Sequence, residues 1–254
     1  EGAHAAERAA RLEAERANEA KSRFLAAASH DLRQPYQAMR LFLAALQIKT
    51  LTPERRDEVL RNMDVAMAAG EELLRSLLDI STLDAGVVTP KVVEIRLADM
   101  VQAVAKRHRP VAEAKGLTLR IRVCHGTAQA DPVLLGRILD TLVTNAVRYT
   151  RSGGILVACR SRAGHPTFEV WDTGIGIASH HLDAIFEEFF QVANPERDRG
   201  KGVGLGLAVV SKMAKLMGLS VTVASRAGRG TRFRVSLPGP IGHDAVLETV
   251  DTVQ

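Results

Sequence analysis

Aromatic residues are scarce in this 254-residue chain, where Phe, Trp and Tyr together make up 4% of the sequence. A core built from this composition must be aliphatic, and few rings are present to stack on nucleotide bases. The formal net charge of +5 at pH 7 is modest, and the basic residues are scattered along the chain. These features argue against nucleic acid as a partner.

Cysteine is almost as scarce as the aromatic residues. Cys124 and Cys159 are the two cysteines of the chain, and neither a CxxC pair nor a secretory segment accompanies them. We predict that both are buried free thiols in a reducing compartment.

Long apolar runs do not occur in the sequence. Because no stretch of about 18 apolar residues is present, we predict no membrane-spanning helix and no membrane contact for this chain. The sequence opens at Glu1 within a charged helical pattern and without an initiating Met. We therefore expect part of a longer cytoplasmic protein, or the cytoplasmic part of a membrane-bound sensor, whose sensor domain lies upstream of Glu1.

Glycine does not occur between residues 3 and 50, and Pro35 is the one proline in that interval. Residues 1–24 are rich in Ala, Glu and Arg, which predicts a helical or coiled-coil linker. Over residues 25–88, two series of apolar residues at spacings of three and four predict two amphipathic helices joined by TLTPE at residues 50–54. The predicted apolar positions are Leu25, Ala28, Leu32, Pro35, Met39, Phe42 and Leu46 on the first helix and Leu60, Met63, Met67, Leu74 and Leu77 on the second.

The turn between these helices carries signals for the start of a helix. Thr52 is suited to cap the second helix and Pro53 to begin it, and LDAG at residues 83–86 is suited to end it. An antiparallel hairpin of this kind leaves apolar surface uncovered on each helix. We therefore predict a homodimer in which two hairpins form a four-helix bundle.

The stretch AAASHDLRQPYQAMRLF, residues 26–42, places polar residues and a proline inside the first helix. Heptad spacing puts His30 on the face opposite the apolar stripe, exposed to solvent, with Gln34 one turn later on the same face and Asp31 beside it. Pro35 removes an amide hydrogen bond, but the apolar heptad continues beyond it. We therefore predict a bend at Pro35, and not the end of the helix.

Strand-like and helical patterns alternate from residue 92 to residue 238. Alternating apolar residues predict strands in VVEIRL and LTLRIRV, and strand-like runs bounded by turn residues predict further strands in GILVACRSR, TFEVWD, SVTVAS and TRFRVSLP. Helices are predicted in AVVSKMAKLMG and in DPVLLGRILDTLVTNAVRYT, which has Asp131 at its start and Pro132 at its first position. This mixture predicts an α/β sandwich in which helices cover one face of a sheet. Residues 239–254 lack periodicity and predict a C-terminal linker. The fold class is therefore multidomain, with an α-helical hairpin followed by an α+β domain.

Four short segments of this second domain carry residues suited to bind a nucleotide. Asn145 lies inside a predicted helix, and Asp172 ends a predicted strand in DTGIGI, where Gly174 and Gly176 let a ligand approach the backbone. RGKGVGLGLAVV opens a helix whose exposed amides favour phosphate, and GRGTRF predicts a glycine hairpin. Each segment alone is weak evidence, because surface Asn residues, DTG turns and glycine loops are common.

In order and spacing, these segments resemble the N, G1, G2 and G3 boxes of the ATP-binding fold shared by histidine kinases, DNA gyrase, the heat-shock chaperone ATPase and the mismatch-repair ATPase, with FEEFFQ as the F box. The resemblance implies that Asn145 holds the Mg²⁺ that bridges the phosphates of ATP. It also implies that Asp172 accepts a hydrogen bond from the adenine amino group and that residues 191–203 form a mobile lid. The residues it assigns to ATP binding are Asn145, Arg148, Tyr149, Asp172, Gly174, Gly176, Lys201, Gly202, Gly204, Leu205, Gly206 and Thr231, with Arg197 and Arg199 as further phosphate candidates in the lid.

The segment FLAAASHDLRQP resembles the H box of sensor histidine kinases of bacterial two-component systems. This resemblance implies that His30 attacks the γ-phosphoryl group of ATP, while Asp31 orients the ring or takes its proton. The phosphoryl group then passes to an aspartate on the receiver domain of a response regulator. That domain, separate or fused downstream, is the implied partner besides the second subunit.

Two departures from the family pattern keep alternatives open. Gln34 stands where many members carry Thr or Asn to orient the water for phosphatase activity, and it retains a carboxamide for that task. Thr141 stands one turn before Asn145, where kinases often carry Asn and the hydrolysing relatives carry Glu. Thr is a poor general base, which disfavours water activation. The alternatives are an ATP-hydrolysing clamp of the gyrase or chaperone type and a degenerate kinase that acts as a dimeric signalling scaffold.

Overall fold

The computed structural model describes residues 26, 28–29, 31–48, 50–162, 164–192, 204–240 and 247–248 of the chain. They form two compact units, one that ends at Asp79 and one that begins at Ile80. Among these described residues, no helix is both long enough and apolar enough to cross a bilayer.

The first unit is built on an α-helical hairpin. Helix α1 is described over residues 31–46 and continues through Pro35, which confirms that this proline does not end the helix. Helix α2 runs over Pro53–Asp84. The amide of Arg55 donates a hydrogen bond to the Thr52 hydroxyl at 3.4 Å, which confirms the predicted start of α2.

The stripe of α2 that is buried within the chain differs from the predicted one. Leu73, which is not among the predicted apolar positions, is 2% exposed, whereas Leu74, which is among them, is 51% exposed. A Cβ atom on Gly70 would lie 3.6 Å from the ring of Pro35, so this stripe is the one that faces α1. Of the predicted apolar positions, Met63 and Leu77 lie on this stripe, whereas Leu60, Met67 and Leu74 lie on a second apolar stripe beside it, which a single hairpin leaves uncovered. The less exposed stripe is Val59, Met63, Ala66, Gly70, Leu73, Leu77 and Ile80, and the more exposed one includes Leu60, Met67, Leu74 and Leu78.

On α1 the predicted stripe agrees with the structure. Its described members are buried or half-buried, whereas Tyr36 and Leu41 beside them are 63% and 69% exposed. Leu25, the first member of the predicted stripe, lies outside the described residues.

The second unit alternates strands and helices, as its sequence pattern predicts. Two single 3₁₀ turns, Ser179–His181 and Ala184–Phe186, follow the strand that ends at Asp172. The elements are β1 Val93–Arg96, α3 Leu97–Ala114, β2 Thr118–Cys124, β3 Thr127–Ala130, α4 Pro132–Tyr149, β4 Gly154–Arg162, β5 His165–Asp172, α5 Gly206–Leu216, β6 Ser220–Ser225, β7 Thr231–Ser236 and β8 Leu247–Glu248.

Six of these strands form one sheet in the order β6-β7-β5-β4-β2-β8, and β1 pairs with β3 separately. Strands β2 and β4 are parallel, and the other neighbours are antiparallel. Val157, Val170 and Phe233 are aligned across the middle of the sheet and buried, which marks the face that the helices cover. The predicted α/β sandwich is therefore confirmed.

Helix α4 begins where the sequence predicts. The Asp131 carboxylate accepts hydrogen bonds from the amides of Val133 and Leu134 at 2.8 and 3.0 Å, and Pro132 occupies the first helical position. This cap fixes the start of the helix that carries Asn145.

Three features of the second unit differ from the sequence predictions. Cys124 and Cys159 are buried as predicted but form a disulfide between β2 and β4, so the prediction of free thiols was wrong. The C-terminal segment, predicted to be a linker, contributes the short strand Leu247–Glu248 beside β2. The sequence pattern also missed α3, whose polar residues and internal Pro110 obscure its helical periodicity.

Candidate functional site

Asp172 ends β5, and backbone amides from two segments hold its side chain. Its Oδ1 accepts hydrogen bonds from the amide of Gly174 at 2.8 Å and from the amide of Thr231 at 3.2 Å. Burial raises the pKa of Asp172 above its ordinary value, and these two hydrogen bonds offset only part of that effect. Because both bonds use Oδ1, the other carboxylate oxygen is left to accept from a ligand.

The loop that follows Asp172 lies against the end of α4. The amide of Ile175 donates to the Tyr149 carbonyl at 3.2 Å. A Cβ atom on Gly174 would lie 2.5 Å from the same carbonyl oxygen, so any side chain there would push the loop away from α4. Gly176 has φ +66, and a Cβ atom there would collide with the Arg226 carbonyl of the β6–β7 hairpin. Both glycines thus serve the packing of the loop between α4 and the hairpin.

Ser225 ties this loop to the β6–β7 hairpin, and sequence reasoning missed it. Its hydroxyl accepts from the amide of Ile177 at 2.8 Å, donates to the Gly230 carbonyl at 2.8 Å and lies 2.9 Å from the Thr231 hydroxyl. A hydroxyl has one proton, so Thr231 is the donor in the last contact. Ser225 is paired with Thr231 across the hairpin, and its role could have been predicted from this position.

Asn145 lies in the second half of α4, one turn after Thr141, and is half-buried together with Arg148 and Tyr149. The Thr141 hydroxyl donates to the Arg137 carbonyl at 2.9 Å, so its proton is committed to the backbone of its own helix. Thr141 is therefore not placed to act as a general base, which agrees with the expectation that a Thr hydroxyl is a poor one.

The start of α5 packs directly on α4. A Cβ atom on Gly206, the first residue of α5, would lie 3.1 Å from the Thr141 methyl group. Leu205 is 1% exposed, and the carbonyl of Gly204 accepts from the amide of Phe189 at 3.1 Å. The structure therefore brings the F-box segment and two glycines of the G2 box, Gly204 and Gly206, beside the helix that carries Asn145. Lys201, Gly202, Arg197 and Arg199 lie outside the described residues.

The predicted phosphoacceptor His30 also lies outside the described residues. Of its neighbours on α1, Gln34 is exposed and Asp31 is half-exposed. These exposures agree with the predicted solvent-facing surface around position 30, and the role of His30 stays a prediction.

Two family models match the chain. One, described as histidine kinase-, DNA gyrase B- and HSP90-like ATPase, matches residues 130–241 and contains Asn145, Asp172 and Thr231. The other, described as His Kinase A (phospho-acceptor) domain, matches residues 20–86, which include His30. The chain belongs to the sensor histidine kinase family. The order of the two domains in this histidine kinase is the one predicted from its sequence motifs.

Relatives with sensor-kinase names extend over most of this histidine kinase chain. It is 35% identical over 240 residues to the autoinducer 2 sensor kinase/phosphatase LuxQ of Vibrio cholerae, a match that covers 91% of this chain and 28% of the relative. It is 32% identical over 243 residues to the sensor histidine kinase GacS of Pseudomonas protegens, covering 92% of this chain and 26% of GacS. The chain thus spans less than a third of the length of these two curated relatives.

Solved structures agree with the fold of this histidine kinase. Full-length ShkA in complex with AMPPNP superposes with a TM-score of 0.61 at 30% identity, over 87% of this chain and 46% of ShkA. The Acinetobacter baumannii histidine kinase AdeS superposes with a TM-score of 0.64 over 82% of this chain and 96% of its own, at 18% identity, which supports the fold alone.

Proposed function

We propose that this chain is the autokinase core of a two-component system. It phosphorylates itself on His30 from ATP and passes the phosphoryl group to an aspartate of a response regulator. The observation that carries the proposal is the Asp172 carboxylate, held through Oδ1 alone, in a chain whose sequence contains the H-box residues SHDLRQP. We further propose residues 25–88 as the phosphoacceptor domain and residues 92–238 as the ATP-binding domain, between the linkers 1–24 and 239–254.

ATP suits the described residues of the site. Asp172 would accept from the adenine amino group through Oδ2, and the raised pKa of its buried carboxyl makes this interaction sensitive to acid. Asn145 would hold Mg²⁺ together with the phosphates, and the ion would neutralise phosphate charge during transfer. The segments that would enclose the rest of the nucleotide contain Arg148, Tyr149, Gly174, Gly176, Lys201, Gly202, Gly204, Leu205, Gly206 and Thr231.

The proposed chemistry runs through His30 in two steps. In the first, an imidazole nitrogen attacks the γ-phosphorus, a P–N bond forms, the bond to the β–γ bridging oxygen breaks and ADP leaves. Asp31, the next residue, takes the imidazole proton or orients the ring. In the second, a carboxylate oxygen of the response regulator attacks the same phosphorus and the P–N bond breaks. Gln34, one turn from His30, would orient water in a phosphatase reaction.

Two alternatives receive less support than the kinase. An ATP-hydrolysing clamp needs a general base near the γ-phosphate, and the Thr141 hydroxyl is committed to the Arg137 carbonyl. A degenerate scaffold would have no use for the bonds that hold Asp172, Ser225 and Thr231 in place. The kinase therefore accounts for more of the site than either alternative.

One assay separates these three functions. The chain is incubated with γ-labelled ATP and Mg²⁺, and bound label is tested for stability in acid and in base. Label that is acid-labile and base-stable supports the kinase, because phosphohistidine has this chemistry. Steady ATP hydrolysis without bound label would indicate the clamp, and neither label nor hydrolysis would indicate the scaffold.

We also propose that the chain is a homodimer. The exposed stripe of α2 presents Leu60 at 44%, Met67 at 44%, Leu74 at 51% and Leu78 at 57% exposure. These residues recur at spacings of seven and four along one side of the helix, as in a helix-bundle interface. A second copy of the hairpin would cover this stripe and complete a four-helix bundle.

Replacing Leu74 by Glu is expected to convert the dimer to a monomer. Each dimer would lose two buried leucines, worth about 1.5–3 kcal/mol apiece, and would gain two buried charges, so the dimer dissociation constant should rise at least about 100-fold. Sedimentation equilibrium measures this constant directly. The matched control is Val65→Glu, since Val65 is 68% exposed and lies off the stripe. Equal effects of the two substitutions would contradict the proposed interface.

Replacing Ser225 by Ala is expected to raise the KM for ATP about tenfold without changing the maximal rate of autophosphorylation. The substitution leaves the Ile177 amide without its acceptor and the Thr231 hydroxyl without its partner, at a cost of about 1–3 kcal/mol in the nucleotide site. Steady labelling at varied ATP concentrations separates the two parameters.

Two controls belong with the Ser225 experiment. Ser225→Thr keeps the hydroxyl and should restore most of the affinity, whereas Ser220→Ala, at the exposed start of the same strand, should behave as the unmodified chain. A fall in maximal rate with an unchanged KM would show that Ser225 does not position the nucleotide site.

A further inference from the structure

The described helices of the second unit pack on one face of the sheet, and arginines occupy the other face. Opposed residues on neighbouring strands share a face. One row therefore joins Arg122, Ala158, Glu169 and Arg234, and the next row contains Trp171 with further arginines. We call this surface the arginine face; its charged and aromatic members are Arg120, Arg122, Arg160, Arg162, Glu169, Trp171, Arg232 and Arg234.

The arginine face concentrates the charge of the molecule. Six arginines and one glutamate give it a formal charge of +5, which equals the net charge of the complete chain. The basic and acidic residues elsewhere therefore balance. The arginine face thus has a formal charge equal to the whole net positive charge of the chain. A surface of this kind can attract and bind a negatively charged partner.

Glu169 organises the centre of this face. It is fully buried, and its Oε1 accepts from Arg162 Nε at 3.0 Å and from Arg234 Nε at 2.9 Å. Its Oε2 accepts from Trp171 Nε1 at 3.0 Å, and Arg160 Nε lies 3.3 Å away as an ion pair. Burial alone would raise the pKa of Glu169, but the bonds from Trp171 and Arg234 and the charge of Arg162 hold it below its ordinary value. The bond to Arg234 uses Nε, which leaves its terminal nitrogens for an outside acceptor.

One carboxylate does not neutralise the arginines that surround it. Burial, together with the charges of Arg234 and Arg162, lowers the pKa of Arg232, whose guanidinium lies 4.7 Å above the centre of the Trp171 ring. The arginines are thus held close together against their mutual repulsion. An anionic partner would remove that repulsion.

The composition of the face indicates the kind of anion. All its basic residues are arginines, whose planar guanidinium binds carboxylates and phosphates through two parallel bonds. Most of the side chains between them are short, such as Ala158, Thr222 and Ser236, so much of the face is flat. Trp171 is its one aromatic residue and is already covered by Arg232, which disfavours base stacking and hence single-stranded nucleic acid. Leu156, between Arg120 and Trp171, is the one large aliphatic residue among the described residues of the face and is half-buried, so the face offers little apolar surface that would enter a bilayer.

We propose that the arginine face docks a carboxylate-rich surface of a protein partner. Arg122 and Arg234 lie three strand spacings apart, about 14 Å, so carboxylates along one side of an acidic helix could engage both edges at once. The face lies on the side of the sheet opposite the helices that flank Asp172, and the proposal does not depend on the kinase chemistry.

The test measures binding of a fluorescein-labelled oligoglutamate to the 254-residue chain by fluorescence anisotropy at low salt. The variant Arg120→Glu/Arg122→Glu reverses two exposed charges on the face without touching the bonds of Glu169. The control, Lys106→Glu/Arg109→Glu on α3, changes the net charge equally on the helical side of the domain. We expect the face variant to bind at least about tenfold more weakly, with the control within about twofold of the unmodified chain.

Other outcomes would overturn the proposal. Equal losses in the two variants, or no binding by the unmodified chain, would mean that the face recognises no carboxylate partner. Tighter binding to a DNA duplex or to phosphatidylserine vesicles, lost in the face variant alone, would assign the face to nucleic acid or to membrane. Circular dichroism and ATP affinity, which should be unchanged in both variants, verify that the fold is intact.

Discussion

Autophosphorylation is expected to fall to background when His30 is replaced by Gln. Gln occupies a similar volume on the helix, but its amide nitrogen is not a nucleophile and cannot form the P–N bond. Because His30 belongs to a different unit from Asp172, the ATP affinity of the variant should stay within about twofold of the unmodified value. Labelling with γ-labelled ATP and calorimetric titration with ATP measure the two quantities separately.

The control for this experiment is His180→Gln, the same chemical change at an exposed histidine of the second unit. It should be labelled as fully as the unmodified chain. Acid-labile label that persists in the His30→Gln chain would place the phosphoacceptor at another histidine. Loss of ATP binding together with label would mean that the substitution acts on the nucleotide site.

Sequence signals with a local physical cause predicted the architecture well. The caps of α2 and α4 depend on one side chain and the next few amides, so Thr52, Pro53 and Asp131 could be assigned from the sequence alone. Strands β2, β6 and β7 were found because their residues alternate between a more buried and a more exposed side. Strands β4 and β5 are buried on both faces over several residues and were found as strand-like runs bounded by the turn residues SGG and AGHP. Helix α1 continues through Pro35 because its apolar heptad continues.

The failures concern relations between segments distant in sequence. Leu73 and Leu74 are equally apolar, and the choice of which one faces α1 depends on the partner helix. Cys124 and Cys159 are 35 residues apart, and they meet because β2 and β4 are parallel neighbours, which their spacing in the sequence does not reveal. Ser225 acquires its role only through the hairpin that pairs it with Thr231.

The residue types of the candidate site could be predicted from the sequence, but the hydrogen bonds among them could not. Asp172, Asn145 and the glycines were recognised by type and order, but the sequence did not reveal that Asp172 is held through one oxygen. Nor did it reveal that the Thr141 proton is committed to the Arg137 carbonyl. These hydrogen bonds determine what each residue can do, and they are properties of the folded chain.

Replacing Asp172 by Asn is expected to weaken ATP binding about 10- to 100-fold. A hydrogen bond to a charged acceptor contributes about 1.5–3 kcal/mol, and Asn would keep Oδ1 for the amides of Gly174 and Thr231. Its amide group would then replace Oδ2 and present a donor to the adenine amino group, which is also a donor. Inosine triphosphate has a carbonyl at that position, so the variant should bind it better than ATP. Calorimetric titration with both nucleotides measures this change in preference.

The acid dependence of ATP binding provides a second measurement on the same residue. Burial raises the pKa of Asp172, so its carboxylate gains a proton at a higher pH than an ordinary Asp would. ATP affinity should therefore fall as the pH is lowered through that raised pKa, and the Asp172→Asn variant should lack this component of the pH dependence. The matched control is Asp183→Asn, the same change at an exposed acid nearby, which should keep both the affinity and its pH dependence. Equal ATP affinity in the Asp172→Asn variant and the unmodified chain would contradict adenine recognition by Asp172, whereas lost affinity with an unchanged pH profile would mean that another group titrates.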